Sequence, residues 1–263
     1  MKKSVLITGS SHGIGAAAAL AFAKEGYDVG VNYFASPQDA LKVAEQCRGA
    51  GVNARIYQAD VSKRDECERM LHAFIEDFGK IDVLVNNAGG AQRMPKGGFA
   101  DMPMEYWDQQ INLNLNAAVY CAHVAAKDMI DKKTRGAIIN VSSIHSEITW
   151  VRRKALPYSA GKAGLNMFTK SIGVELIKYG INVNCIAPGL IYTQVMSRYS
   201  DKNVEGFHRK IPAGYGGSPE DITPMMLFLA DKSKSRFIVG QTIFIDGGQS
   251  IDGAIDNMLD EEF

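Results

Sequence analysis

The chain has 263 residues, 46% of them hydrophobic and 22% charged, which permits a sizeable buried core and excludes intrinsic disorder. Lysine plus arginine and aspartate plus glutamate both number 29, so charge gives no reason to expect nucleic acid or an anionic membrane as a partner. The four cysteines are scattered without a C-x-x-C pair, which predicts free thiols and no metal site. No apolar run is long enough for a signal peptide or a membrane span, so we expect a cytoplasmic protein.

Short apolar runs alternate with longer amphipathic ones along the chain. The apolar runs predict strands at Val5–Thr8, Asp28–Tyr33, Ala54–Ala59, Val83–Val85, Ala137–Val141, Asn182–Ile186 and Thr242–Ile245. The amphipathic stretches predict helices at roughly 14–25, 38–49, 63–78, 105–131, 158–179 and 219–230. Nearly continuous apolar strands that alternate with helices predict an α/β fold, a doubly wound parallel sheet of the Rossmann type with helices on both faces. We predict a single domain over residues 1–263.

Two helix starts carry capping signals. Ser62 precedes a predicted helix and has Asp65 three residues on, the spacing of a capping box. Ser218-Pro219-Glu220-Asp221 supplies an N-cap residue, a proline at the first helical position and acids in the first turn. Both serines are therefore predicted to begin helices.

A glycine loop, Thr8-Gly-Ser-Ser-His-Gly-Ile-Gly15, follows the first strand and opens the first helix. Glycines there let the backbone approach a pyrophosphate, and the helix N-terminus offers free N–H groups and a positive dipole end. In this strand-loop-helix context, the Gly-x-x-x-Gly-x-Gly spacing predicts a dinucleotide site.

Two further motifs end neighbouring strands. Asn86-Asn-Ala-Gly89 follows the fourth strand, and Asn140-Val-Ser-Ser143 follows the fifth. Ligands of open parallel sheets lie beyond the carboxyl ends of the strands, so both motifs are placed to border a ligand. A serine hydroxyl in this place can hydrogen-bond a substrate oxygen as charge develops on it.

Tyr158 and Lys162 stand four residues apart at the start of a predicted helix, so their side chains share one face. A lysine ammonium near a phenol favours the phenolate and lowers the tyrosine pKa from its free value of roughly 10. The pair is therefore a candidate for general acid/base catalysis.

The order, type and spacing of these motifs resemble the short-chain dehydrogenase/reductase family, nearly end to end up to about Gly248. The resemblance implies that Tyr158 is the acid/base, that Lys162 lowers its pKa and binds the nicotinamide ribose, that Ser143 orients the substrate, and that Asn114 completes a proton relay. It also implies a set of cofactor-binding residues: Gly9, Ser11, His12, Gly13, Ile14, Gly15, Tyr33, Asp60, Val61, Asn87, Ala88, Gly89, Tyr158, Lys162, Pro188, Gly189, Ile191 and Thr193.

The choice between NAD(H) and NADP(H) depends on the end of the second strand. Family members that prefer NAD usually carry an acid there, which would repel a 2′-phosphate, whereas this strand ends Val31-Asn32-Tyr33-Phe34. We therefore expect NADP(H) to be favoured, with NAD(H) as the alternative.

Three substrate classes compete: a hexose-like polyol, a 3-oxoacyl thioester and a hydroxysteroid. The segment Ile144–Trp150 resembles bacterial glucose 1-dehydrogenases, and His145 is a candidate contact for sugar hydroxyls. A basic triplet, 152–154, could instead meet an anionic substrate, although such runs more often form a solvated face. The segment 190–217, which contains the substrate candidate Met196, is predicted to be a lid.

The resemblance implies a homotetramer in which helices 105–131 and 158–179 pack across subunits. The acidic tail 252–263 is expected to be solvated or to contact another subunit. A different function class, a cofactor-sensing scaffold on the same fold, remains an alternative, because a fold does not fix a function. The intact set of Ser143, Tyr158, Lys162 and Asn114 favours an enzyme that acts on a small-molecule alcohol or ketone.

Overall fold

A parallel sheet forms the centre of the protein. The computed structural model describes residues 2–92, 98–149, 156–194 and 201–251, the side chains of 201–203 excepted. Within these ranges seven strands are arranged in the order β3-β2-β1-β4-β5-β6-β7, and every neighbouring pair is parallel. They are β1 Ser4–Ile7, β2 Asp28–Tyr33, β3 Ala54–Gln58, β4 Val83–Asn86, β5 Ala137–Val141, β6 Asn182–Pro188 and β7 Thr242–Ile245. The predicted doubly wound sheet is confirmed.

Helices connect successive strands. They are α1 Gly13–Lys24, α2 Pro37–Gly49, α3 Arg64–Phe78, α4 Met104–Ile111, α5 Ala117–Asp131, α6 Leu156–Leu176, α7 Asp201–His208, α8 Pro219–Ala230 and α9 Lys232–Ser235. The helix predicted over 105–131 is wrong in one respect, because a π-helical segment, Asn112–Asn116, separates α4 from α5. The sequence did not predict α7 or α9. In the described part of the chain, no helix is long and apolar enough to span a bilayer.

Two hydrophobic clusters cover the two faces of the sheet. Successive residues of β1 point to opposite clusters: Ile7 packs with Phe22 of α1 in one, and Leu6 packs with Phe74 of α3 in the other. All of these side chains are fully buried. Burial on both faces explains why the strands have continuous apolar sequences instead of the alternation expected for a half-exposed sheet.

The two capping signals have different outcomes. Ser218 is the N-cap of α8, as predicted, and the Asp221 carboxylate accepts hydrogen bonds from its backbone N–H at 2.6 Å and from its hydroxyl at 3.0 Å, which adds a capping box. Ser62 does not cap α3, because the N-cap residue is Lys63 and the Ser62 hydroxyl donates to Asp60 at 2.7 Å. The predicted Ser62 cap is therefore wrong, because the Ser62 hydroxyl bonds to the nearer carboxylate, that of Asp60.

The strand order places the motifs at one edge. β1 lies between β2 and β4 in the sheet. The chain first adds β2 and β3 on one side of β1, and then adds β4 to β7 on the other side, so the strand order reverses between β1 and β4. The point between β1 and β4, at the carboxyl ends of the strands, is the usual ligand position in doubly wound sheets. The glycine loop and the ends of β4, β5 and β6 all lie along this edge.

Candidate active site

The glycine loop has the geometry of a phosphate cradle. Gly9 and Gly13 have φ angles of 61° and 58°, in the left-handed region that glycine adopts without strain. A Cβ atom on Gly9 would lie 2.9 Å from the Ala88 Cα, and one on Gly15 would collide with the Gly9 carbonyl oxygen. His12, the N-cap of α1, has no side-chain cap among the described residues, and the first turn contains no acid. The positive end of α1 is therefore available to an anion.

Asn32, at the end of β2, holds the glycine loop in place. Its side-chain oxygen accepts the Gly9 N–H at 2.9 Å, and its side-chain nitrogen donates to the carbonyl oxygens of Tyr57 and Ala59 at 3.2 and 3.3 Å. The local sequence predicted only that this strand end lacks an acid, and not the role of Asn32. A polar residue inside an otherwise apolar strand was the signal for this role.

Thr8 and Asn87 join the glycine loop to the end of β4. The Thr8 hydroxyl oxygen accepts the N–H groups of Asn87 and Ala88, both at 3.0 Å. The Asn87 side chain donates to the carbonyl oxygens of Thr8 and Gly9 at 2.9 and 3.0 Å. These contacts fix the glycine loop against the end of β4.

Lys162 lies beneath the site and is only 3% exposed. Its ammonium donates to the Val141 carbonyl oxygen at 2.7 Å and lies 5.8 Å from the centroid of the Tyr158 ring. Burial lowers the pKa of Lys162 to about 8, and the nearby Cys185 acts in the opposite direction. The predicted tyrosine–lysine pair is therefore together in space, and Lys162 loses its proton at a lower pH than an ordinary lysine does.

Two serines and a histidine follow β5. The Ser143 hydroxyl oxygen accepts the His145 backbone N–H at 3.2 Å, and the Ser142 hydroxyl donates to the Lys162 carbonyl oxygen at 3.1 Å. The rings of His145 and Tyr158 meet edge to face with centroids 6.0 Å apart. The structure therefore brings the substrate candidate His145 beside the candidate acid/base.

Asn114 lies in the π-helical segment and is buried. Its side-chain oxygen accepts the Gly90 N–H at 2.9 Å, and its side-chain nitrogen donates to the carbonyl oxygens of Gly90 and Gln110 at 3.2 and 3.0 Å. A Cβ atom on Gly89 would lie 2.9 Å from the Asn114 side-chain oxygen and 3.0 Å from the Lys162 nitrogen. Asn114, Gly89 and Lys162 are therefore neighbours. Single π-helical turns occur frequently at functional sites.

Asp60 and Val61, two of the predicted cofactor-binding residues, form the turn after β3. The Asp60 backbone N–H donates to the Glu66 carboxylate at 2.8 Å, and its own carboxylate accepts the Ser62 backbone N–H at 3.1 Å. Val61 is buried, and its carbonyl oxygen accepts the Cys67 thiol at 3.2 Å. The turn is thus held by local bonds at the same sheet edge.

The segment after β6 reaches back to the glycine loop. The Gly189 N–H donates to the Ile245 carbonyl oxygen at 3.0 Å, and the Thr193 methyl group lies 3.3 Å from the position of a Cβ atom on Gly13. Ile191 forms a parallel bridge with Gly217, which closes the base of the segment predicted to be a lid.

A side-chain contact ties α7 to this segment. The Tyr192 hydroxyl and the His208 imidazole are hydrogen-bonded, and their rings are perpendicular. Met196, the basic triplet 152–154 and the acidic tail 252–263 lie outside the described residues, so these three predictions are not tested. No cluster of metal-ligating side chains occurs within the described ranges.

Comparison with known proteins identifies the family. Residues 9–250 match the family model described as enoyl-(acyl carrier protein) reductase. The chain is 38% identical to the 3-oxoacyl-(acyl-carrier-protein) reductase FabG of Staphylococcus aureus strain N315, over 94% of this chain and 98% of that protein. A short-chain type dehydrogenase/reductase from Mycobacterium marinum has 34% identity and a TM-score of 0.87, covering 95% of this chain and 96% of that one. The chain belongs to the short-chain dehydrogenase/reductase family.

The relatives within this family have different printed activities. The chain is 36% identical to 3beta-hydroxysteroid dehydrogenase 1 of Eggerthella lenta, over 95% of this chain and 94% of that protein. The crystal structure of acetoin dehydrogenase YohF from Salmonella typhimurium has 33% identity and a TM-score of 0.86, covering 96% and 99%. The protein is thus an NAD(P)(H)-dependent short-chain dehydrogenase/reductase, and the predicted family and enzyme class are confirmed.

Proposed function

We propose that the enzyme interconverts a secondary alcohol and a ketone, with Tyr158 as the general acid/base. The observation that carries this proposal is the buried Lys162, whose ammonium lies 5.8 Å from the Tyr158 ring centroid at the edge where the strands end. A positive charge near the phenol stabilises the phenolate and makes the proton easier to donate.

The residues divide the reaction between them. In the reducing direction, Tyr158 donates a proton to the developing alkoxide while the Ser143 hydroxyl hydrogen-bonds the same oxygen. Lys162 then favours the phenolate until a proton returns, and Asn114 is positioned beside it to support that return. In the oxidising direction, Tyr158 accepts the alcohol proton. The nicotinamide cofactor, when bound, donates or accepts the hydride.

The glycine loop fits a dinucleotide pyrophosphate. Gly9 and Gly13 adopt positive φ angles that keep side chains out of the cradle, and the first turn of α1 contains no competing acid. Thr193 closes the other side, within contact of the Gly13 position. These residues would hold the phosphates with backbone N–H groups and the helix dipole.

We favour NADP(H) over NAD(H). The end of β2 carries Asn32 and Tyr33, and the Asn32 side chain is occupied by the Gly9 N–H and two carbonyl oxygens. This strand end has no acidic side chain, so no negative charge there would repel a 2′-phosphate. Tyr33 is the residue nearest in sequence that could contact the ribose.

Among the three predicted substrate classes, we favour a 3-oxoacyl thioester. The support is the 38% identity over nearly full length to reductases that carry this name. A hydroxysteroid is the second candidate, supported by the Eggerthella lenta relative. The hexose-like polyol suggested by His145 stays as the third prediction.

The first test is turnover followed by nicotinamide absorbance, with both cofactor forms crossed with a 3-oxoacyl thioester, hydroxysteroids with their ketones, and hexoses. Tyr158→Phe is expected to lower kcat at least a thousandfold and to leave the cofactor Kd within twofold, because only the proton donor is lost. Tyr179→Phe, an exposed tyrosine just beyond α6, is the matched control and should retain wild-type rates.

Two outcomes would contradict the proposal. Near-wild-type activity of the Tyr158→Phe variant would remove Tyr158 from the mechanism. Tight cofactor binding without turnover on any class would favour the scaffold alternative over this reaction.

We further propose a homotetramer. Residues of α5 and α6 line an open cleft of about 390 Å³ whose walls include Val119, Ala126 and Phe168. Met167 and Val174, elsewhere on α6, expose most of their apolar surface. Apolar surface left exposed in this way is typical of subunit interfaces.

A further inference from the structure

Three polar side chains form a row along α4 and the π-helical segment that follows it. Tyr106, Gln110 and Asn114 are spaced four residues apart, so they share a face. All three contact the loop that follows β4. Asn114 binds the N–H and the carbonyl oxygen of Gly90 at 2.9 and 3.2 Å. The Gln110 side-chain oxygen accepts the Gln92 N–H at 3.3 Å, and the Tyr106 hydroxyl donates to the Gln92 carbonyl oxygen at 3.0 Å.

Gln110, the middle member of the row, is completely buried. Its side-chain nitrogen has no hydrogen-bond partner among the residues that the structure describes. A buried, unpaired amide nitrogen is destabilising, and an apolar side chain of similar length would fill the same space without that cost. The contact of its oxygen with Gln92 is the feature that an apolar side chain could not supply.

The loop held by this row borders the candidate reaction centre. Gly89, which precedes it directly, is exposed at the site, and its Cβ position would lie 3.0 Å from the Lys162 nitrogen. Asn114 fixes Gly90, while Gln110 and Tyr106 fix Gln92, so the loop is attached to the helix at two points.

We infer that Gln110 is a positioning residue that sets the loop Gly90–Gln92 as a wall of the substrate site. This inference rests on the proposed function for its kinetic consequence. Gln110 acts through the loop and does not contact Tyr158 or Lys162 in the described structure. Lys162 is held by its own bond to the Val141 carbonyl oxygen, at 2.7 Å. Loss of the Gln110 contact therefore affects substrate affinity more than the chemical step.

The kinetic test uses Gln110→Met, which keeps the length of the side chain and removes its polar atoms. We expect the KM for the carbonyl substrate to rise at least fivefold, with kcat within twofold and the cofactor Kd unchanged. The melting temperature is expected to stay the same or rise, because the unpaired nitrogen is gone. Gln109→Met, an exposed neighbour on the same helix, is the matched control and should change none of these values. An unchanged KM for Gln110→Met would overturn the inference.

A second test needs no substrate. Hydrogen exchange of the Gln92 amide in the free protein is expected to accelerate at least fivefold in Gln110→Met and to stay at the wild-type rate in Gln109→Met. Tyr106→Phe, which leaves the buried core intact, should raise the KM in the same direction by a smaller factor. Unchanged Gln92 exchange would overturn the positioning role even if the enzyme turns over. Absence of turnover by the wild-type enzyme would instead count against the proposed function and leave the exchange test valid.

Discussion

At the level of one residue, the buried charge of Lys162 lowers the stability of the fold, although the proposed chemistry needs that charge. Its ammonium is buried, with the Val141 carbonyl oxygen as its hydrogen-bond acceptor, and burial lowers its pKa from 10.5 to about 8. Below pH 8 the lysine is protonated in both the folded and the unfolded chain, so the full cost of burying the charge is present. Between pH 8 and 10.5 the unfolded chain binds more protons than the folded one, so this site makes stability rise with pH.

Lys162→Met is therefore expected to increase the free energy of unfolding at pH 7 by about 2 kcal/mol, the pKa shift less the value of one hydrogen bond. The difference from the wild type should shrink as the pH approaches 10.5. Urea unfolding at pH 7 and pH 10 measures both values. Lys170→Met, an exposed lysine of the same helix, should show no such pH dependence. A variant less stable than the wild type at pH 7 would show that the lysine stabilises the fold.

Tyr33 tests the choice of cofactor. Tyr33→Asp places a negative charge at the end of β2, one residue from the Asn32 that binds the glycine loop. It is expected to lower the ratio of kcat/KM for NADPH over NADH at least tenfold, by repulsion of the 2′-phosphate. Tyr33→Asn, polar but uncharged, is the control. An equal ratio in both variants would remove this position from ribose recognition.

Local spacing explains which site residues could be predicted. Tyr158 and Lys162 lie one helical turn apart, and the structure places the lysine ammonium beside the tyrosine ring. Asn32 and Gln110 were missed because their partners, Gly9 and Gln92, are 23 and 18 residues away in the chain. A hydrogen bond between distant segments depends on the tertiary arrangement, which no local pattern encodes.

At the level of elements, the two predicted helix caps show that the same sequence spacing can form different structures. Asp221 accepts two hydrogen bonds from Ser218, whereas Ser62 bonds to Asp60 and leaves the cap of α3 to Lys63. The same spacing therefore has different outcomes, since a competing carboxylate lies two residues before Ser62.

Asp221→Ala is expected to lower the free energy of unfolding by about 1 kcal/mol, the usual value of a helix cap. Asp65→Ala is the matched control: it also removes an acid from the first turn of a helix, but no cap, and should cost less than half as much. Chemical denaturation of both variants measures the difference. Equal losses would mean that the helix dipole, and not the capping box, is responsible.

The interruption between α4 and α5 could not be predicted from the spacing of apolar residues. Apolar residues recur with helical spacing throughout 105–131, and a single wider turn changes that pattern little. The structure nevertheless contains the π-helical segment Asn112–Asn116, in which Asn114 makes bonds to Gly90 and Gln110. Asn114, which the family resemblance already implies as a site residue, therefore lies within the interruption and not in a regular helix.

At the level of the whole molecule, the sheet was predictable because its strands are buried on both faces and therefore appear as continuous apolar runs. The segment between β6 and α8 was not, because α7 has only 8 residues, too few for a helical pattern to stand out. The predicted lid role of 190–217 stays a prediction, although the Ile191–Gly217 bridge closes its base.

The tetramer can be tested by light scattering after size-exclusion chromatography, which is expected to give four times the chain mass of 28.6 kDa. Ala126→Arg places a bulky charge in the cleft between α5 and α6 and should produce smaller species. Gln46→Arg, on the exposed side of α2, is the control for added charge. A wild-type monomer, or an unchanged mass for Ala126→Arg, would contradict this interface.

The bond between Tyr192 and His208 has a consequence for the kinetics of the enzyme. It joins α7 to the short segment that carries Thr193, which touches the glycine loop at Gly13. An outward swing of α7 would therefore pull Thr193 away from the phosphate cradle. If 190–217 acts as the predicted lid, departure of the nucleotide and opening of the lid would be one event, and such openings commonly limit the turnover of enzymes. A solvent-viscosity effect on kcat would be the signature of that step.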